Sequence, residues 1–176
     1  MTTPVATSGS ALTCRPPSAA DAVRVHALVH ACPPLELNSI YAYLLMCTHF
    51  AGTSAVAERD GHCVGFLSAY VKPDSATDLF VWQVAVASDA RGQGLARQMI
   101  QHVLGRSGAH PLRFVEATVT PDNQASRGLF QALAAAHGAA LSESLAFSQD
   151  DFGQTDHAVE HLLRIGPFSP SRHTHS

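Results

Sequence analysis

The chain has 176 residues, of which 46% are hydrophobic and 14% are charged, and its formal net charge is −3. This length fits one compact domain, and the low, slightly negative charge leaves neither a basic stripe for nucleic acid nor a polybasic patch for a membrane surface. So few charges also favour burial of part of the surface against another subunit, so we expect a homodimer that acts on a small molecule.

The cysteines and the two ends of the chain indicate a soluble cytoplasmic protein. Four widely spaced cysteines form no C-x-x-C pair, which favours reduced thiols over a structural zinc site or a disulfide framework. The apolar runs are shorter than a membrane span, and the start lacks the basic residues of a secretory signal. Residues 1–11 and 167–176 have no periodicity, so we expect flexible termini around a single domain over 12–166.

The first half of the chain predicts a strand, two helices and a hairpin. Ser18, after two prolines, caps the first helix, and Ser39 caps the second. The dipeptide Asp60-Gly61 lies between two strand-forming runs and predicts the hairpin turn. These elements are predicted over residues 12–15, 19–31, 40–50, 55–59 and 63–71, followed by a loop over 72–77.

The second half alternates strands and helices and then ends in two strands. The predicted elements are a strand over 79–86, a helix over 95–104, a strand over 114–120, a helix over 123–137, and closing strands over 139–148 and 158–165 around a polar loop. The order β-α-α-β-β-β-α-β-α-β-β predicts a mixed α/β fold, α+β-like, with a partly antiparallel central sheet of about seven strands flanked by about four helices.

A glycine-containing turn joins the strand over 79–86 to the helix that follows. It reads Arg91-Gly92-Gln93-Gly94-Leu95-Ala96. Glycines allow close backbone approach, and the first N–H groups of a helix lack acceptors within it, so the turn suits a pyrophosphate. It contains neither the Gly-Lys-Ser/Thr of a P-loop nor a G-x-G-x-x-G with an acidic residue about twenty positions on.

This turn and a second segment together carry a resemblance. Arg91, Gly94 and Ala96 fill the pattern Arg/Gln-x-x-Gly-x-Gly/Ala, and Asn-x-x-Ser-x-x-Leu-Phe follows after the next strand. The pair resembles the GCN5-related N-acetyltransferase (GNAT) superfamily. The resemblance implies the GNAT fold with a twisted central sheet, acetyl-CoA as co-substrate, no metal, and a cofactor site formed by Val84, Val86, Arg91, Gly92, Gln93, Gly94, Leu95, Ala96, Asn123, Ser126 and Phe130.

Further segments narrow the resemblance to one family. Three runs, from Cys32 to Leu45, over 81–86 and over 118–123, are together similar to the L-2,4-diaminobutyrate acetyltransferases of ectoine synthesis. This implies acetylation of the γ-amine of L-2,4-diaminobutyrate. The implied substrate residues are Glu36, Tyr41, Trp82, Glu116, His157 and Glu160. Glu36 stands where the family usually carries aspartate, one methylene shorter.

The physical chemistry of the substrate agrees with this set. Diaminobutyrate carries two ammonium groups and one carboxylate at neutral pH, so its pocket needs more carboxylates than cations. Each residue also has a structural alternative. Glu36 could be a solvated residue where a helix begins, Tyr41 could pack between helices, and Trp82 could belong to the core. Glu116 could face solvent in an alternating strand, and Asn123 could only cap its own helix.

The word His157-Ala-Val-Glu160-His161 matches the H-x-x-E-H motif of some zinc peptidases. That motif binds zinc on a helix, whereas this segment predicts a strand. In a strand the two histidines lie about 13 Å apart, too far for one metal. Because His157 and Glu160 then point to opposite faces, we expect His157 to lie in the preceding loop.

In the expected reaction the amine attacks the thioester directly, with no covalent enzyme intermediate and no metal. Glu160 is the first candidate for the catalytic base and His157 the second, while backbone N–H groups near Val84 and Val86 stabilise the oxyanion. Phe130 stands where many superfamily members place a tyrosine acid, so the acid is unassigned. The alternatives are acetylation of another amine, such as an aminoglycoside, a polyamine or a protein N-terminus, and a non-catalytic acyl-CoA-binding module.

Overall fold

A computed structural model describes residues 12–106, 111–153 and 155–168 of the chain. Seven strands form one sheet in the order β1-β2-β3-β4-β5-β7-β6. All neighbouring strands are antiparallel except β4 and β5, which are parallel. The strands are β1 (Leu12–Arg15), β2 (Ala55–Arg59), β3 (His62–Val71), β4 (Asp78–Val86), β5 (Phe114–Val119), β6 (Leu141–Phe147) and β7 (Glu160–Ile165).

Four α-helices flank the sheet, and the predicted order of elements is confirmed. The helices are α1 (Ala22–His30), α2 (Ile40–His49), α3 (Leu95–Arg106) and α4 (Gln124–His137). A 3-10 turn over Gln149–Phe152 was missed in the predicted polar loop, where Ser148 and Asp151 form a capping box. Two further 3-10 turns cover Ala19–Asp21 and Ser88–Ala90.

The predicted flexible termini, 1–11 and most of 167–176, lie outside the described residues. Phe168 is described, and it is buried. Its N–H donates to the carbonyl of Arg113 at 2.7 Å, and its ring contacts His137. The packed part of the chain therefore extends two residues beyond the predicted boundary at 166.

The helices cover the two faces of the sheet in pairs. On one face, α3 and α4 pack on the strands through apolar residues that include Leu95, Met99, Ile100, Phe130 and Leu133. On the other face, α1 and α2 pack through Val25, Val29, Tyr43 and Met46 against Val56, Phe66 and Ala85. We call these the α3/α4 face and the α1/α2 face. The second pair contacts only strands β2 to β4 in this cluster, so the α1/α2 face of β5 and β7 is available for a site.

Strands β4 and β5 separate soon after they pair. Their register runs only from Asp78 opposite Phe114 to Phe80 opposite Glu116, although both strands continue further. The backbone N–H and C=O groups on this side of β4 beyond Phe80 therefore face a wedge between the strands. A bound ligand with amide groups can pair with such an edge.

Strand β4 also carries an irregularity in its pairing with β3. Ser68 lies opposite Gln83, whereas the next residue, Ala69, lies opposite Val81. Trp82 is thus the extra residue of a β-bulge. A bulge turns adjacent side chains towards the same face, so Trp82 and Gln83 both lie on the α1/α2 face.

An ion-pair network ties the beginning of the described chain to the sheet. Arg15 donates to Asp21 at 2.7 and 2.9 Å and to Glu58 at 3.0 Å, and Arg24 reaches the same Glu58 at 2.8 Å. Asp21 is buried and also accepts from the N–H and hydroxyl of Ser18. The hydrogen bonds from Arg15 lower the pKa of Asp21 to about 2. In the part of the chain that the structure describes, no helix is long and apolar enough to cross a membrane.

Candidate active site

The glycine turn has the geometry of an anion site. Gly92 and Gly94 adopt φ values of 73° and 74°, a region that side chains with a Cβ rarely occupy. The N–H of Gln98 donates to the carbonyl of Gly94 at 3.0 Å, so the N–H groups of Leu95 and Ala96 precede the helical hydrogen bonds of α3. These donors and the positive end of the helix dipole lie at the turn that follows β4.

Two side chains of the turn hold its shape. The Nε of Arg91 donates to the carbonyl of Val86 at 3.1 Å, and the amide of Gln93 donates to the carbonyl of Asp89 at 3.0 Å. Both side chains are exposed, so they can also reach a ligand in the turn. Val84 and Val86 lie on the part of β4 that β5 leaves unpaired.

The second cofactor segment lies at the start of α4. The side chain of Asn123 accepts from the N–H of Ser126 at 3.0 Å, so Asn123 is the N-cap of the helix. This role is compatible with a ligand contact by its amide nitrogen. Phe130 is buried in the core cluster on the α3/α4 face, so its ring leaves little surface for contact with a ligand.

Trp82 lies on the surface, and the bulge turns Gln83 to the same face, where Gln83 anchors the loop that carries Glu36. Trp82 is 53% exposed, so it is not a core residue. The amide nitrogen of Gln83 donates to the backbone carbonyl of Glu36 at 2.8 Å, and its oxygen accepts from the hydroxyl of Tyr43 at 3.2 Å. Glu36 and Tyr41 have exposed side chains near this anchor, whereas Tyr43 is fully buried.

A pocket of about 250 Å³ opens beside Trp82 on this face. Its wall includes the rings of Phe50 and Tyr70 together with Pro73. Tyr70 in turn contacts Phe80 across the strands, with ring centroids 5.3 Å apart. The pocket can therefore receive the apolar part of a small ligand.

Glu160 and His157 lie together at the start of β7, beside the diverging part of β5. Residues 156–159 have no regular structure, which confirms that His157 precedes the strand. Its Nε2 lies 4.0 Å from Oε1 of Glu160, and Oε2 of Glu160 is buried without a hydrogen bond to any described residue. Burial raises the pKa of Glu160, while His157 and the hydroxyl of Thr118 oppose the rise.

The residues that match the H-x-x-E-H motif do not converge on one metal-binding centre. His161 contacts Glu143, which also binds Arg127 of α4, so His161 faces the α3/α4 side. Glu160, its neighbour in the strand, faces the other side. Among the described residues no group of three or more metal-ligating side chains is placed to hold an ion.

Glu116 is buried on the α1/α2 face, and the solvent-facing alternative is wrong. It is 1% exposed, and both of its oxygens face cations of the same chain. Oε1 accepts from Arg164, and Oε2 lies 3.1 Å from the ammonium of Lys72. The Lys72 contact is a close ion pair, and it raises the pKa of the Lys72 ammonium.

Comparison with known proteins identifies the family to which the chain belongs. The acetyltransferase (GNAT) family matches residues 23–135. The L-2,4-diaminobutyric acid acetyltransferase of Bordetella parapertussis is 52% identical over 160 residues, covering 90% of this chain and 86% of the relative. That of Chromohalobacter salexigens is 48% identical, covering 90% and 82%. The chain belongs to the GNAT acetyltransferases and, among them, to the L-2,4-diaminobutyric acid acetyltransferase family.

A solved structure supports the same assignment. The diaminobutyrate acetyltransferase EctA from Paenibacillus lautus, in complex with its substrate L-2,4-diaminobutyric acid and coenzyme A, is 39% identical and superposes with a TM-score of 0.86 over 92% of this chain and 98% of that one. The ribosomal-protein-S18-alanine N-acetyltransferase from Escherichia coli, at 14% identity and a TM-score of 0.66, shows the fold alone.

Three features of this acetyltransferase were missed in the sequence. Gln83, a polar residue in an otherwise apolar strand, was an available signal for a structural anchor. Phe152 packs on His157 from the unpredicted 3-10 turn. Arg164 reaches Glu116 from the next strand of the sheet, and no local pattern indicates that pairing.

Proposed function

We propose that the chain transfers the acetyl group of acetyl-CoA to the γ-amine of L-2,4-diaminobutyrate, giving N4-acetyl-L-2,4-diaminobutyrate and coenzyme A. The observation that carries the proposal is the pair of acceptors formed by His157 and Glu160 beside the wedge. Family membership supports the same reaction, and it supports a role in ectoine synthesis. Residues 12–166 serve this reaction as a single domain, since all seven strands belong to one sheet.

The tautomer of His157 favours an ammonium at this place. Its Nδ1 lies 2.7 Å from the carbonyl of Ala158, which can only accept, so Nδ1 carries the proton of the neutral ring. Nε2 then offers a lone pair towards Glu160. Two acceptors 4.0 Å apart are satisfied by one ammonium that donates to both.

Glu160 is the base in the proposed step. A free alkyl ammonium has a pKa of about 10, so the bound γ-ammonium must lose a proton before it attacks. Burial raises the pKa of Glu160 towards the pKa of the ammonium, and this makes its carboxylate a better proton acceptor. The neutral nitrogen then attacks the thioester carbon. A carbon–nitrogen bond forms, the carbon–sulfur bond breaks, and coenzyme A leaves as the thiolate. The second proton that the nitrogen loses on forming the amide passes to the thiolate or to water.

The wedge and the glycine turn supply the cofactor site. The pyrophosphate binds the N–H groups at the start of α3, and the pantetheine chain lies along the free edge of β4 near Val84 and Val86. The same edge offers N–H groups to the oxyanion. Glu36, whose backbone is held by Gln83 of the bulge, binds the α-ammonium of the substrate. Tyr41 and Trp82 contact the carbon chain of the substrate.

The decisive experiment is product analysis with the purified protein. We expect saturable, acetyl-CoA-dependent turnover of L-2,4-diaminobutyrate, with NMR placing the acetyl group on the γ-nitrogen. Acetylation mainly at the α-nitrogen, or faster turnover of a polyamine, an aminoglycoside or a peptide N-terminus, would contradict the assignment. No turnover of any amine would favour the acyl-CoA-binding module.

We further propose that the chain is a cytoplasmic homodimer. The edge strand β6 supports the dimer, because Leu145 and Phe147 are 62% and 49% exposed on it. Exposed apolar side chains on an unpaired edge are usually covered by another chain. The widely spaced cysteines and the resemblance support the reducing cytoplasm.

A further inference from the structure

Four charged side chains form a cluster on the α1/α2 face, which we call the Arg164 cluster: Lys72, Asp78, Glu116 and Arg164. The Nη1 of Arg164 donates to Oδ2 of Asp78 at 2.6 Å and to Oε1 of Glu116. The ammonium of Lys72 completes the cluster on the other oxygen of Glu116. The cluster brings together residues from β4, β5, β7 and the loop after β3.

The cluster presents its cations to solvent and hides its carboxylates. The side chains of Glu116 and Asp78 are 1% and 6% exposed, whereas those of Arg164 and Lys72 are 33% and 29% exposed. At the rim, the exposed carboxylate of Asp74 lies 3.9 Å from the Lys72 ammonium. A ligand that arrives from solvent at Arg164 therefore meets N–H donors, and at Lys72 it competes with Asp74 for the ammonium. Glu116 is 1% exposed and both of its oxygens face cations of the chain, which disfavours direct contact with a substrate ammonium.

Arg164 is held rigidly and keeps donors free. Its guanidinium lies 3.7 Å from the centre of the Phe114 ring, which fixes the plane of the group. Its hydrogen bonds to described residues all use Nη1, so Nε and Nη2 remain available. Burial opposes its charge, but the bonds to Asp78 and Glu116 raise its pKa above the ordinary value. A planar, oriented guanidinium with free donors suits a carboxylate.

The cluster lies at a distance from Glu160 that suits the carboxylate end of the substrate. Arg164 and Glu160 lie on the same face of β7, four residues apart, which corresponds to about 13 Å between α-carbons. Their long side chains and a four-carbon amino acid together span this distance. Across the sheet the row Tyr70, Phe80, Glu116 and Arg164 connects the cluster to the pocket beside Trp82.

We propose that Arg164 and Lys72 bind the α-carboxylate of the amino-acid substrate, and that Glu116 and Asp78 hold these two cations in place. The inference rests on the proposed function and deepens it, because it names the groups that distinguish an amino acid from a simple diamine. It gives Glu116 an indirect role in place of contact with an amine.

The test compares L-2,4-diaminobutyrate with 1,3-diaminopropane, which is the same molecule without its carboxylate. The enzymes are the wild type, Arg164→Met, Lys72→Met and the control Arg127→Met, which breaks an arginine–glutamate pair on the opposite face. For Arg164→Met and Lys72→Met we expect kcat/KM for diaminobutyrate to fall about 10- to 100-fold, mainly through KM, the scale of a lost charged hydrogen bond. The kcat/KM for diaminopropane should change less than about threefold under the same principle.

The outcomes separate the two proposals. Equal losses on both substrates, no loss on either, or a wild type that does not distinguish the two substrates would overturn the inference while leaving acetyl transfer intact. A wild type that acetylates diaminobutyrate at no measurable rate would overturn the proposed function itself. If Arg164→Met does not fold, Lys72→Met still decides, because Lys72 lies in a partly exposed loop.

Discussion

The ring of Phe152 stacks on the imidazole of His157, with centroids 3.9 Å apart and planes inclined by 17°. This contact and the hydrogen bond to Ala158 fix both the plane and the tautomer of His157. Phe152 belongs to the short 3-10 turn before β7, so this turn sets the geometry of the acceptor pair.

Replacing Phe152 with leucine should therefore lower activity without removing any polar group. We expect Phe152→Leu to reduce kcat about 3- to 10-fold, because His157 gains rotational freedom and the amine is held less accurately. Steady-state kinetics with diaminobutyrate measure this. Phe147→Leu is the control, since among the described residues the ring of Phe147 packs on Phe152 and only Phe152 stacks on His157. Equal effects of the two variants would contradict the positioning role.

The second prediction concerns the base. Glu160→Gln should lower kcat about 100-fold or more, the usual scale for a lost general base, while the affinity for coenzyme A is unchanged. In the wild type, kcat/KM should fall at acid pH with an apparent pKa above the ordinary value for glutamate. The reason is that burial raises the pKa of Glu160 and only its carboxylate form is active.

The stability of the same variant provides its control. A carboxyl with a raised pKa binds its proton more tightly in the folded than in the unfolded state, so its ionised form costs stability above that pKa. Glu160→Gln lacks this cost, and its melting temperature at pH 7 should be equal to or above that of the wild type. A fully active Glu160→Gln variant would remove Glu160 as the base.

The third prediction tests the glycine turn. Gly94→Val should greatly weaken coenzyme A binding, because valine disfavours φ of 74° and its branches obstruct the approach of the phosphates. Gly61→Val is a matched control, since Gly61 has a similar φ of 77° in the β2–β3 turn. Calorimetry should show weak binding for the first variant and normal binding for the second. Arg91→Ala should have a smaller effect, because exposed charge contacts contribute modestly.

The sequence predicted the order of elements well and the placement of side chains less well. Period-2 and helical patterns are local, so β1 and β2 were predicted with their observed bounds. Gln83 shares a face with Trp82 because of a bulge, which depends on the pairing of β4 with β3. Glu116 is buried because Lys72 and Arg164 neutralise it from distant parts of the chain. Such features depend on tertiary contacts that no local pattern carries.

The fourth prediction concerns stability at low pH. The pKa of Asp21 falls from its ordinary 3.8 to about 2, so its stabilising contribution is complete above about pH 4 and is lost as the pH falls towards 2. Asp21→Asn should reduce the free energy of unfolding by about 2 kcal/mol at pH 7. The difference from wild type should shrink below pH 4.

Urea titrations at several pH values measure this dependence. Asp89→Asn is the control, because Asp89 pairs with Arg59 at an exposed site. Exposed pairs contribute about 0–1 kcal/mol, so this variant should remain close to wild type. A difference between Asp21→Asn and wild type that persists undiminished at pH 2.5 would contradict the ionic origin of the effect.

The fifth prediction concerns assembly. Sedimentation at micromolar concentration should show a species of twice the chain mass of 18.6 kDa. Leu145→Glu should shift the population towards the monomer, because it places a charge on the apolar edge of β6. A wild type that sediments as a monomer would exclude the dimer without affecting the catalytic proposal.

The early separation of β4 and β5 has a kinetic consequence. Three residue pairs join the two halves of the sheet, and the groups proposed to contact the substrate come from both halves, Trp82 from β4 and Glu160 from β7. A cofactor in the wedge contacts both strands and fixes the distance between these groups. We therefore expect an ordered mechanism in which acetyl-CoA enters first and coenzyme A leaves last, with coenzyme A competing against acetyl-CoA and not against the amine.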